Sequence, residues 1–306
     1  FAFVNPPPFL FAVVPFGILP FPVAWIAWVA VTWGLWAWAS IRAFPRLWVL
    51  VLAYPGALIA AGHAQNGLLT SALLVLAAHE IGKRQAVSGA AIGALVIKPH
   101  LAVLAPFWFA SGRKWGAIIA AGATAIGLIV LSWLAFGTQT LADYTTSWRA
   151  SGALMEGINP DFMLRMATFY SQVRLTLGDG PAFAAAGLSA IVALGATVLA
   201  WRRFKGDAQA ASAAMLAATA LVTPYLFNYD LPFLIFPTLW LVGQGHAYGF
   251  RPFEKLVLVA LYFAPYATRA AAFPLGINLM PVAAIVLLAL VWSRGGRDPA
   301  GTGHAP

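Results

Sequence analysis

Apolar residues dominate this chain in long runs that short polar connections interrupt. We interpret about eleven of these runs as membrane-spanning helices, because several approach the ~20 apolar residues needed to cross a bilayer. Residues 9–19 are apolar but too short to cross, so we expect an interfacial or re-entrant helix there. The approximate limits of the predicted spans are 22–41, 47–62, 67–82, 86–98, 101–112, 115–136, 182–201, 208–224, 232–244, 256–272 and 278–293.

Composition supports an all-α polytopic membrane protein. The chain is 61% hydrophobic and 9% charged, with a mean hydropathy of +0.82, whereas soluble domains carry about 25% charged residues. The net charge of +9 does not indicate nucleic acid, because the basic residues lie in short connections. There is no cysteine, no nucleotide-binding glycine motif and no metal-ligand spacing, so we expect no metal and no cofactor.

Basic residues predict the orientation of the spans. Of the eighteen Lys and Arg residues, thirteen fall on alternate connections and five on the others. The positive-inside rule makes the richer side cytoplasmic. The thirteen are Arg42, Arg46, Lys83, Arg84, Arg113, Lys114, Arg202, Arg203, Lys205, Arg251, Lys255, Arg294 and Arg297.

One long connection, 137–181, falls on the predicted outer side. Its aromatic and apolar content favours packed interfacial helices over disorder, and loops of this length are commonly functional. We therefore expect a single transmembrane domain over 1–292 that carries this outer loop. The Gly- and Pro-rich residues 293–306 are expected to form a disordered cytoplasmic tail.

Lys98 is the most informative polar residue, because it lies between two apolar runs. A lysine at membrane depth costs roughly 2.5–3.5 kcal/mol and usually has a partner or lines a wet cavity. Pro99 ends the helix beside it, which favours a role as an anchor for an anionic group, with phosphate the first candidate. A lysine that snorkels to the interface is the alternative.

Short helices on both sides of the polar segments predict an outward-facing cavity lined by His63, Gln65, Asn66, Lys98 and His100. Asn66 is a candidate N-cap, and the free N–H groups at a helix start attract anions, so Gln65 and Asn66 could cradle a phosphate. The histidines could bind phosphate or transfer a proton. A plain cap and interfacial histidines are the alternatives.

A second polar group joins two predicted spans on the outer side. Asp230 is a candidate base or acceptor for a sugar hydroxyl, although it could simply cap the next helix. Asn228, Tyr225 and Tyr229 could bind sugar hydroxyls, or the tyrosines could belong to the aromatic belt.

Four short motifs in this order resemble glycosyltransferase family 87. They are a Pro-Pro motif near the start, Gly62 to Leu69 (Gly-x-x-Gln-Asn-Gly-Leu-Leu), Ile97 to His100 (Ile-Lys-Pro-His) and Pro224 to Asp230 (Pro-Tyr-x-x-x-Tyr-Asp). The resemblance covers nearly the whole chain. This family includes polyprenyl-phosphate-mannose-dependent mannosyltransferases of the C-type membrane fold.

The resemblance implies a hexosyltransferase of the bacterial cytoplasmic (inner) membrane with its active site facing outside. A mannose-like hexose would move from a polyprenyl phosphate donor to a lipid or glycan acceptor, with membrane lipids as the other partners. Lys98 would stabilise the leaving phosphate, with His63, His100, Gln65 and Asn66 assisting.

The chain departs from the family pattern at its start. The family's catalytic aspartate lies in a first outer loop ahead of the Pro-Pro motif, where this sequence begins, so we expect a fragment that is itself inactive. Asn5 replaces the usual tyrosine before Pro-Pro, and Ala64 replaces a frequent glycine. Asp230 then becomes the candidate catalytic carboxylate. A transporter or flippase of lipid-linked sugar is the alternative function, and a glycan polymerase or ligase is the third.

Overall fold

The computed structural model describes residues 4–156 and 160–294, with the backbone alone for 153–156. Within these residues the chain is helical, and β pairing is limited to an isolated bridge between Met166 and Phe227. The predicted disordered tail begins at Ser293, yet Ser293 and Arg294 end the last helix. The rest of that tail lies outside the described residues.

The helices of the first half are α1 (Leu10–Val13), α2 (Phe21–Ala43), α3 (Trp48–Leu52), α4 (Pro55–His63), α5 (Gly67–Glu80), α6 (Gln85–Ala94) and α7 (Ala105–Ser111). Those of the second half are α8 (Trp115–Glu156), α9 (Pro160–Leu164), α10 (Phe169–Leu177), α11 (Asp179–Arg203), α12 (Ala208–Val222), α13 (Ile235–Tyr248), α14 (Glu254–Leu275) and α15 (Met280–Arg294). Short 3-10 segments extend or join some of them, notably Leu95–Ile97, Pro99–Ala102 and the longer Asn228–Leu234.

Four of these helices, α2, α8, α11 and α14, are long and apolar enough to cross a membrane within the described residues. A fifth span is counted if the pair around α3 and α4, bent by 53°, acts as one. Helices α5, α6, α12 and α15 are apolar but shorter. The eleven predicted segments are therefore helical, but eleven full-length spans are not observed.

The predicted span over 101–112 is wrong. Only Ala105–Ser111 is α-helical there, and seven residues at 1.5 Å each make about 10 Å, a third of the hydrocarbon core. Pro99 and Pro106 explain the break, since each proline removes a backbone donor and restricts the residue before it.

The predicted outer loop over 137–181 is largely helical. The span predicted over 115–136 ends at Gly137, whose φ of 78° bends α8, and the helix then continues to Glu156. Helices α9 and α10 follow. Glycine adopts this positive φ without a Cβ penalty, which lets the second half of α8 change direction.

The centre of the bundle is formed by α12 and the start of α13. Every residue of α12 from Ala210 to Leu221 is buried, and most are alanine. Small side chains let helices approach closely when no water is present to drive association. Ser212 on α12 also donates to the carbonyl of Ala78 on α5 at 3.0 Å, which ties α12 to α5.

Two buried glutamates at one end of the bundle pair with arginines of the basic connections. Glu80 is fully buried and accepts from Arg42 at 3.1 Å and from Arg84 at 2.7 Å. Glu254 at the start of α14 pairs with Arg294 at the end of α15, and both side chains are buried. These pairs join connections that the charge pattern predicts on a single side of the membrane.

The contact between α6 and α8 depends on two glycines one helical turn apart. A Cβ on Gly89 would lie 2.2 Å from the carbonyl oxygen of Ala117, and a Cβ on Gly93 would lie 2.4 Å from that of Ala121. The spacing Gly-x-x-x-Gly is a known helix-packing pattern in membranes. The backbones of α6 and α8 are therefore so close at these two positions that no side chain fits between them.

We expect Gly89→Ala to destabilise the protein by about 1–3 kcal/mol, because the added methyl forces α6 away from α8. Thermal unfolding of the purified protein in detergent, followed by circular dichroism, measures the change. The matched control is Gly127→Ala on α8, where a Cβ meets open space. That variant should be neutral or slightly stabilising, and equal effects of the two substitutions would contradict the packing argument.

Candidate active site

A polar cavity of about 200 Å³ opens at the end of the bundle opposite the buried Glu80 and Glu254 ion pairs. It lies between the start of the chain, the α4–α5 junction, the Leu95–Ala102 turns, the second half of α8 and the connection before α13. Its lining residues are Val4, Asn5, Pro6, Gln65, Asn66, Ile97, Lys98, Pro99, His100, Tyr144, Trp148, Tyr225 and Tyr229.

Lys98 lines this cavity and is 8% exposed. Pro99 excludes the α conformation for Lys98, whose extended φ of −153° separates two 3-10 turns. Its Nζ donates to the Oδ1 of Asn66 at 2.9 Å and to the Oδ1 of Asp230. It also lies 5.1 Å from the centroid of the Tyr229 ring. The sequence-predicted cation thus has a carboxylate partner 132 positions away.

Asp230 is fully buried and does not line the cavity. One carboxylate oxygen accepts from Lys98, and the other accepts from the backbone N–H of Phe227 at 3.2 Å. Its own carbonyl accepts from the Ser71 hydroxyl at 3.4 Å. A base must reach the proton that it removes, so this enclosed position differs from the one we expected for a catalytic carboxylate.

Gly67 allows the start of α5 to reach the Asp230 segment. A Cβ at this position would lie 1.9 Å from the carbonyl oxygen of Tyr229. Asn66 precedes it at the N-cap position, but its side chain makes no capping hydrogen bond. Its amide instead accepts from Lys98 and donates to the Oδ1 of Asn5 at 2.7 Å. The expected side-chain cap at Asn66 is therefore wrong, because the side chain belongs to the cavity.

The two predicted histidines differ in position. His100 lines the cavity, packs edge-on against Tyr225 at 5.5 Å, and has a buried Nε2 with no hydrogen-bond partner among the described residues. His63 is exposed, is not among the lining residues, and donates from Nδ1 to the Ile59 carbonyl at 2.8 Å. Its ring lies 5.5 Å from that of Tyr229, which places it beside the cavity.

Asn228 points away from the cavity. Its side-chain amide donates to the carbonyl of Pro265 at 3.2 Å and to Thr268 at 3.3 Å, and its oxygen accepts from Asn278 at 2.7 Å. Asn278 also bonds the backbone of Leu164 at 3.1 Å. Asn228 therefore joins α14 to the region around α9, and its side chain is not part of the described cavity lining.

Three lining residues with polar or aromatic side chains, Asn5, Tyr144 and Trp148, were absent from the sequence-predicted site. Asn5 holds Asn66 by the hydrogen bond described above, while Tyr144 and Trp148 come from the second half of α8. Asn5 precedes the Pro-Pro motif, a signal that could have marked it. No sequence pattern indicates that α8 bends at Gly137 and that its second half lines the cavity.

The site combines one cation with the N-terminus of a helix. Lys98 uses two of its three N–H donors on described residues, and the N-terminus of α5 adds a partial positive charge beside Asn66. Asp230 compensates the lysine in the absence of substrate. Among the described residues, no group of three or more His, Asp or Glu side chains could hold a metal ion.

Comparison with known proteins gives a match to one family. The model of glycosyltransferase family 87 matches residues 3–227, which include most of the cavity lining but end before Asp230. No curated protein and no solved structure gives a significant match. The family match covers well over half of the chain and agrees with the motifs around Asn66 and Lys98. The chain therefore belongs to glycosyltransferase family 87 and is a membrane glycosyltransferase.

Proposed function

We propose that this protein transfers a mannose-like hexose from a polyprenyl phosphate to a hydroxyl of a lipid or glycan acceptor. The observation that carries the proposal is Lys98, a nearly buried cation at a polar cavity inside an apolar bundle, with one N–H donor to spare. In a polyprenyl phosphate the phosphate would pair with the cation, and the apolar chain would contact the apolar helices around the cavity. The reaction takes place on the outer face of the bacterial cytoplasmic membrane, because the thirteen predicted cytoplasmic basic residues leave the cavity on the other side.

In this reaction the acceptor oxygen forms a bond to the anomeric carbon of the sugar. The bond between that carbon and the phosphate oxygen breaks, and the polyprenyl phosphate leaves with the electron pair. Negative charge therefore develops on the phosphate, which Lys98 and the N-terminus of α5 are positioned to stabilise. Gln65 and Asn66 add amide donors at the same wall of the cavity.

The acceptor hydroxyl gives up a proton in this step. We assign this role to His100, a lining residue whose Nε2 has no partner among the described residues. That nitrogen is buried, so the ring must turn toward the cavity before it can take the proton. Asp230 acts as a positioning residue in this proposal. Its two oxygens hold Lys98 and the Phe227 backbone, which leaves no free carboxylate for a substrate.

An apolar groove beside the cavity gives the donor chain a place to lie. It has a volume of about 380 Å³ and runs between α6, α7 and the first half of α8. Each of its described lining residues is apolar, and Pro99 lines both the groove and the cavity. A phosphate at Lys98 would thus have its isoprenoid chain in contact with hydrocarbon-like surface.

We expect a Lys98→Met, Asp230→Asn double variant to lose transfer of labelled hexose from a polyprenyl phosphate donor in purified membranes. Its affinity for farnesyl phosphate should fall about 10–100-fold, since a hydrogen bond to a charged group contributes about 1.5–3 kcal/mol. Asp230→Asn alone leaves Lys98 without its carboxylate partner, so its unfolding temperature must be measured as well. The folded fraction of this variant should bind farnesyl phosphate at least as tightly as the wild type, because the lysine remains.

The double variant is needed because Lys98→Met alone leaves a buried, unpaired Asp230. The unpaired carboxylate would destabilise the fold by about 3–5 kcal/mol. A loss of activity in Lys98→Met could then come from unfolding as well as from the missing lysine. The double variant should unfold at a higher temperature than Lys98→Met. Farnesyl phosphate binding unchanged in a folded double variant would refute the role of Lys98. Absence of transfer by the wild type across several hexose donors would favour transport of lipid-linked sugar.

We expect His100→Gln to slow transfer at least about 100-fold, as for loss of a general base, without changing farnesyl phosphate affinity. In the wild type the rate should fall at low pH, where a protonated imidazole cannot accept a proton. The variant should lack this dependence. His246→Gln is the matched control, because His246 is exposed at the opposite end of the bundle. Loss of farnesyl phosphate binding in His100→Gln would instead assign His100 to the phosphate.

A further inference from the structure

Two arginines from separate parts of the chain converge on one aromatic ring. Arg165 directly follows α9, and Arg269 lies in the last two turns of α14, far from the Glu254 end of that helix. The Cζ atom of Arg165 lies 5.9 Å from the centroid of the Phe273 ring, and the Cζ atom of Arg269 lies 4.8 Å from it. One phenyl ring is therefore in contact with two cations.

This arginine pair has no anionic partner in the protein. Among the residues that the structure describes, neither Arg165 nor Arg269 forms an ion pair or donates a hydrogen bond, although each offers five N–H donors. At the other end of the bundle, Arg42, Arg84 and Arg294 all pair with buried glutamates. Two neighbouring cations repel one another, so the arginine pair is suited to an anion that binds both guanidiniums.

The chemistry of the guanidinium favours a phosphate as that anion. Its planar fork of N–H donors binds phosphate oxygens in a bidentate manner. Arg165 is exposed and Arg269 is half-buried, so an anion can reach both side chains from the surface. The Phe273 ring holds the two guanidiniums by cation–π contacts, which leaves their N–H groups free for a ligand.

The surface beside the arginine pair is apolar. Helix α14 is long and apolar enough to cross a membrane, and Val259, Phe263 and Tyr266 are exposed on it. Their spacing of three and four residues places them on one face of the helix, which continues to Phe273. We call these four residues the apolar strip of α14. A ligand with a phosphate at the arginine pair would thus find a surface for a hydrocarbon chain along the same helix.

We propose that Arg165 and Arg269 bind the phosphodiester of an anionic phospholipid, with an acyl chain of that lipid along the apolar strip of α14. The lipid belongs to the leaflet on the cavity side of the membrane. Neither arginine lines the polar cavity, so this lipid site is separate from the site that contains Lys98. It does not depend on the identity of the glycosyl donor.

A lipid at the arginine pair would stabilise the segment that leads to Asp230. The backbone N–H of Asn228 donates to the carbonyl of Arg165 at 3.4 Å, and its side chain donates to Thr268, the residue before Arg269, at 3.3 Å. A phosphodiester bound to both arginines would therefore tie α14 to the same segment. We expect the protein to unfold at a higher temperature with this lipid than without it.

The first test compares two phospholipids that have the same acyl chains. Purified protein is mixed with equal amounts of palmitoyl-oleoyl phosphatidylglycerol and palmitoyl-oleoyl phosphatidylcholine, and native mass spectrometry measures the bound fraction of each. The wild type should prefer phosphatidylglycerol. Arg165→Gln and Arg269→Gln should each reduce this preference about fivefold, the effect of one basic side chain at an anionic lipid surface. The matched control is Arg149→Gln, because Arg149 is an exposed arginine on the second half of α8 that is not part of the pair.

The second test separates lipid binding from a purely structural role of the arginines. The unfolding temperature of each variant is measured in nanodiscs of either lipid, and the difference between the two lipids is the result. The wild type and Arg149→Gln should unfold at a higher temperature in phosphatidylglycerol. The two pair variants should show no such difference, whatever the substitution does to the fold itself.

Three results would overturn the proposal. The first is a phosphatidylglycerol preference that both pair variants retain or that Arg149→Gln loses equally. The second is displacement of the lipid by an equal concentration of sn-glycero-3-phosphoglycerol, the head group without acyl chains, which would assign the pair to a soluble phosphate. The third is a loss of farnesyl phosphate affinity in the pair variants, which would assign the pair to the glycosyl donor.

Discussion

The buried ion pair between Lys98 and Asp230 is the interaction on which the site depends. A charge in an apolar bundle is costly unless a partner and hydrogen bonds compensate it. The compensation here comes from three separate parts of the chain: the Lys98 turn, the start of α5 through Asn66, and the 3-10 turn that contains Asp230. The pair therefore fixes these segments relative to one another before any substrate binds.

Close backbone contacts make this convergence possible. Gly67 lets α5 touch the backbone of Tyr229, and Gly89 with Gly93 lets α6 lie directly on α8. The first contact brings Asn66 beside Asp230, and the second holds the helix that leads to Lys98. Pro99 then ends that helix where the cation is needed. Packing of small residues and placement of the charge are thus parts of one arrangement.

The same pair accounts for the division of roles within the site. Asp230 compensates Lys98 fully in the unliganded protein, yet the lysine retains a donor toward the cavity. Grooves of opposite character adjoin the cavity, one wholly apolar in its described lining and one aromatic with a charged pair.

The sequence by itself determined the all-helical membrane character, the family and a part of the residues that line the cavity. Hydropathy and charge bias are local properties, and the motifs around Asn66, Lys98 and Tyr225 are short enough to read directly. Only the tertiary structure decided the partner of Lys98, the buried contacts of Asn228 away from the cavity and the position of Trp148 at the cavity wall. These features depend on contacts between residues far apart in the chain and on bends in the helices. Hydropathy reports how apolar a segment is and carries no information about the direction in which the segment runs.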